Sequence, residues 1–147
     1  MSTTAMPIPR RGDQLPDLTG ETPAGVPLST RDYYMRRNLA VVFVADDASG
    51  AEWLRMAAAL REEAHAEAGE ILVVAPPGMA TGELPTILDV AHQLARRVGL
   101  DAADLPALFI TDRYRTVFAS NRGEGGQPGL APADISSWLE FVACRCS

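Results

Sequence analysis

The spacing of apolar positions changes along the chain, and the changes mark out the elements. Leu39-Ala-Val-Val-Phe-Val-Ala45 is seven apolar residues in a row, rich in β-branched side chains. It reads as a strand buried on both faces at the centre of a parallel sheet. After Asp46-Asp47-Ala48-Ser49-Gly50 the period becomes helical. Trp53, Ala57, Leu60 and Ala64 fall on one side, and Glu52, Arg55, Glu62 and Glu63 on the other. Ser49 and Glu52 fit an S-x-x-E capping box, which predicts a helix starting just after Ser49 and stopping at Gly69. A strand that runs into a helix N-terminus presents backbone N–H groups and the positive end of the macrodipole. This turn offers Asp46, Asp47 and Ser49, with no cysteine, histidine or lysine, and is the first candidate site.

Further on, Ile71-Leu-Val-Val-Ala75 reads as a second buried parallel strand, ended by Pro76-Pro77-Gly78. Glu83 to Val98 is predicted as one helix. Leu84, Ile87, Leu88, Ala91, Leu94, Ala95 and Val98 form its stripe, Pro85 sits in the first turn, Arg96-Arg97 in the last, and Gly99 ends it. Leu105 to Thr111 and Thr116 to Ser120 flank Asp112-Arg113-Tyr114-Arg115 as an antiparallel hairpin, and Asn121 to Gly129 is a glycine-rich loop. Pro132 opens a last helix with Ile135, Trp138, Leu139 and Val142 inward. Ahead of the central strand, two extended pieces at Gly12–Leu18 and Gly25–Ser29 suggest an N-terminal hairpin, and Ser29 to Tyr34 a helical turn. The order is β-hairpin, β, α, β, α, β-hairpin, α. Right-handed crossovers give a parallel core to which the second hairpin adds antiparallel strands. The expected fold class is α/β, a three-layer sandwich with a mixed sheet of four or five strands.

The 147 residues suit one domain, read here as a flexible arm over 1–11, a folded domain over 12–143 and a tail at 144–147. Apolar residues make up 47% and charged residues 22%, which favours a folded chain over disorder. A net charge of −6 argues against general nucleic-acid binding and against an anionic membrane surface. All 13 basic residues are arginine, so Schiff-base and P-loop chemistry through lysine are excluded. The start has no apolar core of signal-peptide length and no run approaches membrane-spanning length, so a cytoplasmic protein is expected. Both cysteines lie at the C-terminal end, which rules out a disulfide framework for the core.

Gly12-Asp13-x-x-Pro16-Asp17-Leu18, then Gly25-Val26-Pro27-Leu28-Ser29, then an apolar strand, and later a proline directly before the third core strand, is similar to the redoxin branch of the thioredoxin fold. The likeness is to peroxiredoxins of the alkyl hydroperoxide reductase/thiol-specific antioxidant type, over roughly residues 11–143. The resemblance implies that Leu105-Pro106 is the family's cis-proline step and lies beside the β–α turn. It also implies a departure. Aligned on Ala45, Ala48 and Ala51 stand where thioredoxins carry their Cys-x-x-Cys pair, and no cysteine precedes residue 144. The family's chemistry needs a thiolate stabilised at the helix start, which alanine cannot supply. Asp47 and Ser49, without an adjacent base, are poor substitutes.

Cys144-Arg145-Cys146 is the constellation with redox or metal meaning. A Cys-x-Cys disulfide closes a small strained ring and is easily reduced, and Arg145 would lower a thiol pKa. A metal there would need ligands from a partner chain. The plain alternative is a frayed tail with two exposed thiols. Glu62, Glu63, His65 and Glu67 cluster on one helix, where His65 has no second histidine at i+4 and Glu63 and Glu67 read as a solvated face, and His92 falls off its stripe and reads as surface. Gly123 to Gly129 is too irregular for a phosphate loop.

Two functions are therefore expected. The first is a catalytically degenerate redoxin-like protein that binds another protein, as an accessory or assembly module of a larger complex. Its docking surface would be Asp46, Asp47, Ala48, Ser49, Leu105 and Pro106, and it needs no cofactor. The second is a thiol–disulfide oxidoreductase or peroxidase working through Cys144 and Cys146. Redoxins also pair with themselves, so a homodimer is a further expectation. The Arg/Tyr mix at Arg31–Arg37 reads as a solvated connector rather than a nucleic-acid site.

Overall fold

The computed structural model describes residues 6–145. Its centre is a five-stranded sheet in the order β5-β4-β3-β6-β7. β3 (Asn38–Phe43) and β4 (Gly69–Ala75) are buried at every position, as their unbroken apolar runs require, and pair in parallel from Asn38↔Gly69 to Phe43↔Val74. β6 (Ala107–Thr111) runs antiparallel to β3, with Phe43 opposite Ala107 and Leu39 opposite Thr111, and β7 (Val117–Ser120) returns beside it. The N-terminal hairpin forms from β1 (Thr19–Glu21), not from the Gly12–Leu18 stretch expected to supply its first strand, and β2 (Pro27–Ser29), followed by a 3-10 turn at Thr30–Tyr33; Gly12 to Gln14 pair instead with Thr116 and Val117.

Alternation along the strands feeds two separate cores. Ala40, Val42, Ile71, Val73, Leu108 and Ile110 face α1 (Ala48–Ala59), α2 (Arg61–Ala66) and α4 (Ile135–Arg145) through Leu54, Ala57, Ala64, Ile135, Leu139 and Val142. Leu39, Val41, Phe43, Leu72, Val74 and Phe109 face the other way, against Leu15, Leu18, Ile87, Ala95, Val98 and Leu100. Phe43 and Phe109 meet edge to face on that side, ring centroids 5.8 Å apart.

Three further sequence expectations change. The helix predicted over 83–98 is a strand, β5 (Thr86–Leu88), a 3-10 turn at Val90–His92 and a short α3 (Gln93–Arg97). Its apolar stripe divides between the cores, with Leu84 on one side and Ile87, Ala95 and Val98 on the other. The open edge of β4 settles the matter. Val73 donates to the Pro85 carbonyl at 2.9 Å and Asp89 N–H to Ala75 at 2.8 Å, and pairing with a buried strand outweighs a helical period. Buried Asp89 then holds α3, its carboxylate oxygens accepting Leu94 N–H at 2.7 Å and Ala95 N–H at 3.1 Å.

The first helix starts earlier than the capping box implies and is broken. Asp47 is its N-cap, with extended backbone and its Oδ1 accepting Gly50 N–H at 2.7 Å, and Leu60 interrupts it between α1 and α2. Ser49 caps nothing. Ala68, at φ +56°, takes the left-handed position expected of Gly69, which instead begins β4 in a place where a Cβ would lie 2.9 Å from Leu139 Cδ1. The arm expected over 1–11 lies outside the described residues up to position 5. From Met6 it is packed rather than free: Pro9 is buried and Ile8 joins the second core.

Candidate functional site

The β3–α1 turn is built by a strand end, a cap and a close approach. The chain leaves β3 through buried Val44, whose N–H donates to Val74 at 3.1 Å, and Asp47 N–H donates back to Ala45 at 2.9 Å. Gly50 then passes so near the strand that a Cβ on it would sit 2.2 Å from the Ala45 carbonyl oxygen and 3.2 Å from Val44 Cβ. The approach presses α1 onto β3 and pushes Asp46, Asp47, Ala48 and Ser49 out to solvent; Ala51 is half-buried.

Beside the turn, the Leu105–Pro106 peptide is cis, as the resemblance implied. The β3–β6 ladder ends at Phe43↔Ala107, so Pro106 stands one residue beyond it, at the end of the sheet where β3 leads into the turn. The proline is gripped from the start of the loop after β7. Asn121 accepts Leu108 N–H at 2.9 Å through Oδ1 and donates Nδ2–H to the Pro106 carbonyl at 3.2 Å. Arg122 Nη2 donates to the same carbonyl at 3.3 Å. These two residues were not singled out in the sequence, where Asn121 opens a glycine-rich loop. A polar pair directly after an apolar strand was the available signal.

Cys144 lies elsewhere. α4 carries Leu139 to Gly69, and Phe141 to Phe118 with ring centroids 6.4 Å apart, both where β3 and β4 begin. Its last turn, with exposed Cys144 and with Arg145 stacked 4.9 Å over Phe141, therefore leaves the sheet at the end opposite the β3–α1 turn. Cys146 lies outside the described residues.

The sheet's same far end holds an ionic cluster. Glu70, 6% exposed at the start of β4, accepts Arg61 Nε at 3.2 Å and Nη2 at 3.3 Å and lies 2.9 Å from His65 Nε2; Ile71 N–H donates to it at 3.0 Å. Burial alone would raise the Glu70 carboxyl, but the hydrogen bonds from Arg61, His65 and Ile71 outweigh it and hold it below the usual glutamate range. Burial, and then the charges of Glu70 and Asp32, push the Tyr33 phenol up. His65 is exposed, as a solvated helix face requires, and its ring also reaches the Glu70 carboxylate; Glu63 accepts Ser136 Oγ–H at 2.7 Å. His92 is half-buried, on left-handed backbone at φ +56°. No group of three metal-ligating side chains occurs among the described residues, and no helix among them is long and apolar enough to cross a membrane.

A mixed sheet with this strand order, a cis-proline before the third core strand and a strand-to-helix turn facing it decides the architecture. The chain has a thioredoxin-like fold. Solved structures agree across nearly the whole length. A secreted thiol-disulfide isomerase from Corynebacterium glutamicum superposes with a TM-score of 0.73 at 14% identity, over 96% of this chain and 93% of that one. Peroxidoxin BcpB from Mycobacterium tuberculosis gives 0.72 at 12% identity, over 95% and 99%. A thiol peroxidase from Chromobacterium violaceum gives 0.69 at 13%, over 97% and 93%. No protein-family model matches the sequence, and no curated protein does. Against this thioredoxin-like frame, the turn of the present chain carries Ala48 and Ala51, and its helix start is capped by an aspartate.

Proposed function

We propose that this thioredoxin-like chain is a cytoplasmic protein-binding module, an accessory or assembly subunit that docks a partner at the β3–α1 turn and the adjoining Leu105–Pro106 step without thiol chemistry there. One observation carries the reading: Asp47 occupies the helix start that would activate a thiol, and no cysteine precedes residue 144. A carboxylate accepting Gly50 N–H uses the dipole that would otherwise stabilise a thiolate. The fold around the turn is intact, so the site keeps its shape and its exposure while lacking a nucleophile.

A second reading has its own support. Cys144 is exposed with Arg145 next to it, and the similar structures include a thiol-disulfide isomerase and a thiol peroxidase. That reading makes the chain a thiol–disulfide oxidoreductase or peroxidase acting through Cys144 and Cys146. Affinity capture from native lysate, run beside disulfide- and peroxide-reduction assays, separates the two. The binding reading expects a stable partner that Asp46→Arg releases and Cys144→Ser/Cys146→Ser retains, with no thiol-dependent turnover. Turnover that vanishes in the double serine variant would establish the enzyme reading instead. A monodisperse protein that comes down alone would remove the support for a partner.

A further inference from the structure

We propose that the surface formed by Tyr34, Met35, Arg36, Arg113, Tyr114 and Arg115 is a second docking site, one that takes a short acidic segment of a partner protein. It lies at the other end of the sheet from the β3–α1 turn. The β6–β7 turn follows Thr111, which pairs with the start of β3, and the five residues of β6 separate it from Pro106, roughly 17 Å of strand.

The surface is held rigid from beneath. Met35 N–H donates to the Arg113 carbonyl at 2.8 Å, Gln14 Nε2 to Tyr114 at 3.3 Å and Leu15 N–H to Arg115 at 2.8 Å. Asp112 Oδ1 accepts the N–H groups of Tyr114 and Thr116, each at 2.9 Å. Two non-glycine residues here, Met35 at φ +63° and Arg115 at φ +67°, keep left-handed backbone that only a well-determined turn sustains.

On this base the side chains make a row of alternating character. Arg113 lies 5.3 Å over the Tyr114 ring, Tyr114 meets Tyr34 edge to face at 5.9 Å, and Arg115 lies 5.6 Å from the Tyr34 ring. Tyr34, Met35 and Tyr114 are 42%, 63% and 37% exposed, large apolar area left in water. Tyrosine, arginine and methionine are the residues enriched in protein–protein interfaces, and rings braced in one position lose little entropy on binding.

Charge chooses the occupant. Most of the nearby carboxylates are already engaged: half-buried Asp17 pairs with Arg31 and Arg115, buried Asp112 serves its own turn, and Asp32, which stays exposed, accepts Ser29 N–H. The exposed Arg36 side chain makes no hydrogen bond or ion pair among the described residues; only its backbone N–H is engaged, donating to the Tyr33 carbonyl at 2.9 Å. The rest of the chain is acidic enough to bring the total to −6, so a long polyanion would be repelled wherever it left the patch. A short carboxylate-bearing segment can meet the exposed Arg36 guanidinium beside the Tyr34 and Tyr114 rings without spanning the acidic remainder of the surface.

Fluorescence anisotropy with a labelled synthetic peptide of alternating glutamate and leucine tests this on the full chain, with an oligo-dT competitor at the same salt. Saturable binding is expected, weakened about tenfold or more by Tyr114→Ala or Arg36→Glu, the scale of an interface anchor. The Arg36 side chain is exposed and makes no hydrogen bond or ion pair among the described residues, so its charge reversal keeps the fold, and circular dichroism checks both variants. Absence of binding, binding that both variants retain, or displacement by the oligonucleotide at equal or lower concentration would each overturn the proposal. Asp46→Arg, at the opposite end, should leave this titration unchanged, so the failure of either docking site is read separately.

Discussion

Gly50 shows how one residue sets the geometry of the turn. Its hydrogen is the only side group that fits between α1 and the Ala45 carbonyl, because a Cβ would stand 2.2 Å from that backbone oxygen. Gly50→Ala should therefore lower stability by about 1–3 kcal/mol through forced backbone movement, read as a fall in the urea midpoint at constant slope. At this scale the sequence was half legible. The string Asp46 to Gly50 announced a cap, which the capping pattern assigned to Ser49. Asp47 wins over Ser49 because the close passage of Gly50 places its N–H against Asp47 Oδ1. That passage is a tertiary fact, which no capping pattern contains. Asn121 and Arg122 were illegible for the same reason, since their meaning lies in the Pro106 carbonyl they reach.

Among the elements, the bury-both-faces strands could be read directly, because a run such as Leu39–Ala45 has no other stable use in a chain of this size. The 83–98 segment could not. Its spacing satisfied a helix, while the unpaired edge of β4 gave Thr86–Leu88 a competing partner. The α2–β4 contact depends on Glu70, which clamps Arg61 and His65 onto the first strand residues. The folded-state pKa of Glu70 lies below its unfolded value, so this contribution is complete above the ordinary glutamate pKa, about 4.3, and is lost as pH falls through the folded value. Glu70→Gln should cost about 2 kcal/mol at neutral pH, where a buried charged hydrogen-bond network is broken. It should also flatten the acid limb of the thermal-stability profile relative to wild type, as measured by calorimetry between neutral pH and pH about 3.

At the level of the whole molecule, the frame and its reactive group are separable. If the thioredoxin-like frame is intact apart from Ala48 and Ala51, then Ala48→Cys/Ala51→Cys should form a reversible disulfide and acquire insulin-reducing activity that the parent turn lacks. A double variant that folds, forms the disulfide and still reduces nothing would mean that the turn has lost more than its sulfurs. The overall order of elements, and hence the sandwich, was legible because crossover handedness leaves few topologies open to β–α–β–α followed by a hairpin. The contact of Tyr34 with Tyr114 was not, since the two stand far apart in sequence and meet only through the β6–β7 turn.

Residues 12–15 run along the outside of β7. Gly12 N–H donates to Val117 at 2.9 Å, Val117 N–H to Asp13 at 2.8 Å, and Gln14 bridges Thr116. The start of that margin is thus closed by the chain's own segment, and a second copy finds no free ladder at Thr116 and Val117. Self-association on this flank would require the segment to peel away first, exposing Leu15, one of the largest fully buried side chains.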